Sequence, residues 1–444
     1  MLEPCLAPSL APILAVFGDC FTAPSFATFR HIVAGWILCL ERHTVTGVLR
    51  ASGAVGEKHH TSFHRFFRSA VWDPDALGLC LLKLVLNLLA PGLPIIVPLD
   101  DTLGRHTGKH IRGASMHHDP LLSTRTKPVF HWGHVWVVLS IVVRVPRWKK
   151  VFALPVLVRL YRAEKVCKKE KRRFRKKTEL AAELIAVLAA AFPERQFRVV
   201  ADAAYANASI IKKLPPNVHF IGRSRLDAAL YAAPRRQRMG RPRVKGDRVP
   251  SPGNRARSSR GWQRLRLEVY GRTVTVRVKV FDALWYVVSG GRMLRFVLVR
   301  GWPGHDHDDV FCTTDRSLDA TQVIQDYCLR WSLEVTFHET KGKLGFEDPQ
   351  NRTKRAVERT APMALWVYTL TVVWYLTVGA KLKNAGLPQF PWYTKTIPAF
   401  SDMLAALRRE AWRHRLLDPA SDARERKKSE KSLAPLLQAV GYGG

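Results

Sequence analysis

The sequence predicts an α/β fold: a mixed sheet flanked by helices, with an all-β insertion and a helical N-terminal domain. Three observations carry this. Between residues 94 and 225, β-branched and aromatic runs alternate with amphipathic helical stretches, and two of those runs end in aspartate. A strictly alternating polar–apolar segment, "RLRLEVYGRTVTVRVKV", lies further on and turns at Tyr270-Gly271-Arg272. Residues 1–92 contain helical patterns and no strand signal.

At 444 residues the chain exceeds one ordinary core, so several units are expected. Residues 1–92 are predicted as a helical N-terminal DNA-binding domain. "TFRHIVAGWILCLERHTVTGVLRASG" and "KHHTSFHRFFRSAVW" are amphipathic and rich in His and Arg, so they fit a helix-turn-helix or an ordinary bundle. An apolar helix over 81–89 ends at Ala90-Pro91-Gly92. "PIIVPLDDT", "VFHWGHVWVVLSIVVRV" and "VFALPVLVRLY" then read as strands. The basic run 165–177 leads into the helix "TELAAELIAVLAAAF", followed by the strands "FRVVADAAY" and "VHFIGRSR". These elements, 93–223, join 319–380 as one α/β domain, interrupted by the β-rich insertion 224–318. The insertion opens with a Gly/Pro/Arg-rich loop over 235–260 and includes "LWYVVSG" and "MLRFVLVRG" as further strands. Residues 381–444 form a basic helical segment, whose charged run 408–431 reads as a solvated or DNA-facing appendage.

With 71 Lys and Arg against 36 Asp and Glu, the formal net charge is +35. Such a surface favours polyanions, nucleic acid first and anionic lipid second. Seven cysteines, at 5, 20, 39, 80, 167, 312 and 328, include no C-x2-C pair, which argues against a zinc ribbon or a disulfide framework. Pro4, Pro8 and Pro12 interrupt the first apolar stretch, so no signal peptide is expected. Residues 361–380 run without a charge for the length of a membrane span. Three threonines and a proline near the start favour a buried helix instead, so no membrane partner is expected.

Tyr327, Arg330, Glu334 and Lys341 follow a Y-x2-R-x3-E-x6-K spacing. On one continuous helix, at about 100° per residue, all four share a stripe roughly 60° wide. A carboxylate between two cations and a phenol suits a metal held against a phosphate backbone. A solvated face with an i,i+4 Arg–Glu pair would look similar. Asp100 and Asp202 end two separate strands, and parallel neighbours would bring them about 4.8 Å apart. With Glu334 they supply three hard oxygen donors, suited to two Mg²⁺ or Mn²⁺ ions and in-line displacement at phosphorus. An acid at a strand end is also commonly a helix cap.

These residues together resemble the ribonuclease H-like catalytic domain of DDE transposases, and more narrowly the bacterial insertion-sequence branch with the Y-R-E-K signature. The resemblance spans roughly 94–350 and includes a β insertion between the second acid and the glutamate. It implies a DNA transposase that cuts transposon ends by hydrolysis and joins the freed 3′-hydroxyl to target DNA. Asp100, Asp202 and Glu334 would hold two Mg²⁺ ions. Tyr327, Arg330 and Lys341 would grip phosphates, with Trp331 stacking on a flipped base and His338 near the backbone. The D-x-T pattern of that family selects Asp100 through Thr102, leaving Asp101 as the alternative. Double-stranded DNA, a homodimer in the synaptic complex and a cytoplasmic, nucleoid-associated location are further implications. A ribonuclease H-like nuclease without strand transfer and a non-catalytic DNA-binding regulator are the rival readings.

Overall fold

The computed structural model describes residues 6–108, 110–119, 122–124, 126–235, 242–382, 386–417 and 423–442. Residues 236–241 of the predicted basic loop and 418–422 of the charged C-terminal run lie outside the described residues. Five helices come first, α1 (Ala11–Ala15), α2 (Ala23–Leu38), α3 (Val45–Ala51), α4 (His60–Arg68) and α5 (Pro74–Leu86). Gly35 lets α2 touch α3, because a Cβ there would sit 2.1 Å from the Val48 carbonyl oxygen. α4 buries Phe63, Phe66 and Phe67 and leaves His64, Arg65 and Arg68 exposed. These helices share one hydrophobic core with the sheet.

The sheet begins with β1 (Ile95–Arg105), β2 (Ser115–His118), β3 (Phe130–Val145) and β4 (Lys150–Tyr161). Next come α6 (Glu164–Lys169), α7 (Lys177–Ala191), β5 (Phe197–Ala201), α8 (Ala208–Ile211) and β6 (Val218–Arg223). β3 pairs antiparallel with both β4 and β1, whereas β1–β5 and β5–β6 are parallel. The spatial order β4-β3-β1-β5-β6, with α7 as the crossover into β5, is that of a ribonuclease H-like sheet. The parallel strands are apolar on both faces because helices cover both.

The segment after β6 holds β7 (Leu230–Tyr231), β8 (Arg248–Val249), α9 (Pro252–Arg257), β9 (Gln263–Val269), β10 (Arg272–Ala283), α10 (Tyr286–Ser289), β11 (Leu294–Arg300) and β12 (Asp309–Thr313). β12 pairs with β6, so this segment prolongs the main sheet to ten strands. It is not entirely β. The predicted strand "LWYVVSG" is the short helix α10, closed where Ser289 Oγ donates to the Trp285 carbonyl and Gly290 turns with φ +61°. The β9–β10 hairpin turns through Tyr270 at φ +52° and Gly271 at φ +71°, the type I′ geometry that matches strand twist.

The C-terminal helices are α11 (Ala320–Cys328), α12 (Trp331–Lys343), α13 (Lys354–Thr360), α14 (Pro362–Thr377), α15 (Phe400–Leu416) and α16 (Ala423–Tyr442). Among the described residues, α14 belongs to the one helical stretch, Lys354–Lys381, long and apolar enough to cross a membrane. It is buried along almost its whole length against β4, α5, α12 and α15. Each large apolar side chain it hides in the protein core is worth about 1.5–3 kcal/mol. The charged C-terminal run differs from its predicted solvated state at its start. Arg408 is 4% exposed, and its Nε donates to the Ile37 carbonyl at 2.7 Å, tying α15 to α2.

Candidate active site

The parallel register of β1 and β5 ends at Pro98 with Val200, so Asp100 and Asp202 each lie two residues beyond the last pair, close enough for the Asp202 charge to raise the Asp100 carboxyl. Asp202 follows the last residue of β5, and its Oδ1 accepts the Ala204 N–H at 2.9 Å, closing a turn. Neighbours on β1 point to opposite faces. Asp100 faces α12, where Arg330 Nη1 meets its Oδ2 at 2.5 Å. Asp101 faces α7 and is engaged by Lys177 Nζ and the Tyr205 hydroxyl, both at 2.7 Å. Tyr205, three residues after Asp202, is 1% exposed; no periodicity in the sequence marked it or Lys177 as partners of the doublet.

Arg330 also reaches Glu334, Nη2 to Oε1 at 2.7 Å, so one guanidinium bridges Asp100 and Glu334. Burial disfavours its charge, but Asp100, Tyr327 and Glu334 more than compensate and hold it firmly protonated. Asp100 has the opposite problem. Burial pushes its carboxyl up to about 7, Arg330 pulls it down, and the charges of Asp101 and Asp202 raise it again. The centre is therefore short of positive charge when its carboxylates are ionised. Asp100 and Glu334 share Arg330 and the charge of Asp202 reaches Asp100, so these carboxylates offer hard oxygen donors suited to divalent cations such as Mg²⁺ or Mn²⁺.

The predicted continuous stripe helix is two helices. Between α11 and α12 the hydrogen bonds tighten to i→i−3, with Arg330 N–H on Tyr327 O and Leu333 N–H on Arg330 O. Ser332 Oγ donates to the Leu329 carbonyl at 2.7 Å and holds this turn. A 3₁₀ turn advances about 120° per residue, so Tyr327 stays on the face of Arg330, three residues on. It is 9% exposed and packs on Phe311 with ring centroids 4.7 Å apart. Two ion pairs from Asp326, to Arg198 of β5 at 2.5 Å and Arg144 of β3 at 3.4 Å, seat α11 on the sheet. An Asp319–Gln322 capping box starts it.

On α12, Thr336 Oγ1 donates to the Ala153 carbonyl of β4 at 2.8 Å. Lys341 Nζ donates to the Leu103 carbonyl of β1 at 2.7 Å and lies 3.7 Å from Glu347. Lys341 therefore ties α12 to β1 and is only partly open to an outside anion. Trp331 and His338 are exposed, Trp331 by 53%. The Tyr270 ring stands across Trp331 at 6.4 Å, edge to face, brought there by the left-handed hairpin turn. Together with Arg223, Trp302, Tyr327 and Arg330, these two aromatics line a cleft of about 680 Å³. Arg223, Tyr270 and Trp302 were not singled out from the sequence, since only the tertiary path of β6, β9 and β11 brings them to the cleft.

The sequence profile of the DDE superfamily endonucleases matches residues 16–280, a stretch that holds Asp100 and Asp202 and stops before Glu334. No curated protein sequence matches the chain. Among solved structures, a cryo-EM structure of the piggyBac transposase synaptic complex with hairpin DNA aligns over 97% of this chain and 82% of that chain. Its identity is 9% and its TM-score 0.39.

Proposed function

Because the chain belongs to the DDE superfamily endonucleases, we propose that it is a DNA transposase of the Y-R-E-K insertion-sequence branch. In this reading it binds transposon ends in a synaptic homodimer and carries out strand cleavage and strand transfer. The observation that carries the reading is the convergence of Asp100 and Glu334 on Arg330, with Asp202, just beyond the end of the neighbouring parallel strand, in electrostatic reach of Asp100. The net charge of +35 supports duplex DNA as the partner.

Asp100, Asp202 and Glu334 are the proposed metal ligands. When bound there, Mg²⁺ supplies polarisation of a water or 3′-hydroxyl nucleophile and stabilisation of the leaving oxygen. The protein's own part is positioning. Lys177 and Tyr205 hold Asp101 on the far face and so fix the rotation of the β1 end. Arg330 spaces Asp100 from Glu334 and keeps positive charge beside the scissile phosphate. Tyr327 backs Arg330, whose guanidinium lies 5.9 Å from the ring centroid. The exposed Trp331 ring offers a stacking face for an unpaired base, with Tyr270 edge-on beside it. His338, two turns along the exposed face, contacts the backbone phosphates.

Outside the cleft, the β9–β10 hairpin sets Arg264 directly across from Arg277, both exposed, with Arg266 on the same face. Like charges directly opposed on a strand pair repel. A phosphate backbone laid across them removes that repulsion, which supports this face as part of the DNA track.

Precut DNA ends with a free 3′-hydroxyl, taken from the sequence flanking the gene, are incubated with target plasmid and Mg²⁺. Joined products are expected. Hydrolysis without joining would indicate a nuclease, and DNA binding unaffected by Asp202→Asn and Glu334→Gln with neither reaction would indicate a regulator.

A further inference from the structure

On the wall of the cleft that Arg330 and Trp331 also line, His305, His307 and Asp309 bring one ligand atom each to within 4.8 Å of one another. Asp309 opens β12 and is 2% exposed, an expensive place for a carboxylate. Its Oδ2 meets His305 Nδ1 at 2.6 Å, and its Oδ1 lies 3.6 Å from His307 Nε2. Arg223 also faces Oδ1 as an ion pair, yet that buried oxygen has no hydrogen bond. The two imidazoles stack at 5.1 Å, 8° from parallel, so both edges point to the same carboxylate.

We propose that His305, His307 and Asp309 form a binding site for one transition-metal ion, Zn²⁺ first, separate from the acidic centre. Two imidazoles and one carboxylate are the donors that borderline ions take, whereas Mg²⁺ prefers an all-oxygen shell. Tetrahedral Zn²⁺ with bonds near 2.1 Å spaces its ligands roughly 3.4 Å apart, so the cluster has to tighten only by side-chain movement. Asp309 then shares its charge, one oxygen to the ion and the other to Arg223. His305 lines the cleft, so the fourth coordination position opens on it and takes a water. Binding ties the loop 301–308 to β12 and thereby fixes Trp302, whose ring lies 6.5 Å from His305. The ion thus sets the cleft wall that faces Trp331.

Untagged, metal-stripped protein titrated with Co²⁺ tests this. The intense visible absorption of four-coordinate Co²⁺ is expected to saturate at about one ion per chain, to vanish in His305→Ala and in His307→Ala, and to persist in Asp100→Asn. Both histidines are exposed, so the variants keep the circular dichroism and metal-free melting of the parent. Weak octahedral absorption alone in the parent, persistence of the strong band in both histidine variants, or its loss in Asp100→Asn would overturn the proposal. None of these outcomes depends on the transposase reading.

Discussion

Asp101→Ala is expected to weaken the fold and to slow but not abolish DNA cleavage, whereas Asp100→Asn spares the fold and abolishes cleavage. Removing the Asp101 carboxylate leaves the hydroxyl of Tyr205, 1% exposed, without its acceptor. An orphaned buried hydroxyl costs about 1–3 kcal/mol. The Lys177 ammonium is 39% exposed, so losing that pair adds at most about 0.5 kcal/mol. For a chain of 444 residues, unfolding entropy makes each kcal/mol roughly 1 °C, so Tm should fall by roughly 1–3.5 °C. Asp100 goes the other way. Its folded-state carboxyl stands at about 7 against an ordinary 3.8, so the native state binds an extra proton between those values. Stability therefore declines as pH rises through that window. Above it the ionised group costs up to roughly 4 kcal/mol, which the neutral amide avoids. Calorimetry in chelator at pH 8, paired with Mg²⁺-dependent cleavage of the flanking duplex, measures both effects. Cleavage retained in Asp100→Asn but lost in folded Asp101→Ala would refute the assignment of Asp100.

Three further outcomes follow from the same geometry. Trp331→Ala should lower cleavage of duplex ends by roughly tenfold or more, from the loss of about 1–3 kcal/mol of stacking, with Trp331→Phe intermediate; equal rates on duplex and pre-unpaired ends would contradict a stacking role. Arg264→Ser and Arg277→Ser should each reduce the slope of log affinity against log salt by about 1 and leave Tm unchanged or raised; an unchanged slope would remove the hairpin from the DNA track. Burial holds His106 and His117 down to about 4 and His134 to about 3. The unfolded chain takes up those protons near 6.5, so stability present above that pH is lost as pH falls from 6.5 towards 4. Tm measured across that range should drop steeply, and His117→Gln should flatten the drop.

Strands were the most legible part of the molecule. Val, Ile and Leu runs in β1, β3, β4 and β5 leave few alternatives once acids and turn residues bound them, and the parallel core follows from their order with α7. The break between α11 and α12 was not legible, because a 3₁₀ turn changes no residue type and shows only as a switch in hydrogen-bond partner. Tyr327 lies beside Arg330 but is buried against Phe311 of β12, a contact that only the packed sheet supplies. Alternation along β1 does separate Asp100 from Asp101. That Arg330 waits on one face, and Lys177 with Tyr205 on the other, needed the packed helices. Trp302, His305 and His307 lie in a loop with no period to read, and only the β11–β12 turn carries them to the cleft.

The claim that Asp100, Asp202 and Glu334 ligate the catalytic cations is tested most directly by replacing each with cysteine and comparing cleavage in Mg²⁺ and Mn²⁺. Thiolate is a poor ligand for Mg²⁺ and a better one for Mn²⁺. Activity lost in Mg²⁺ and regained in Mn²⁺ at all three positions, but not specifically at Asp101, is the predicted result. Equal activity in the two metals for any of the three cysteine variants would contradict its place among the ligands.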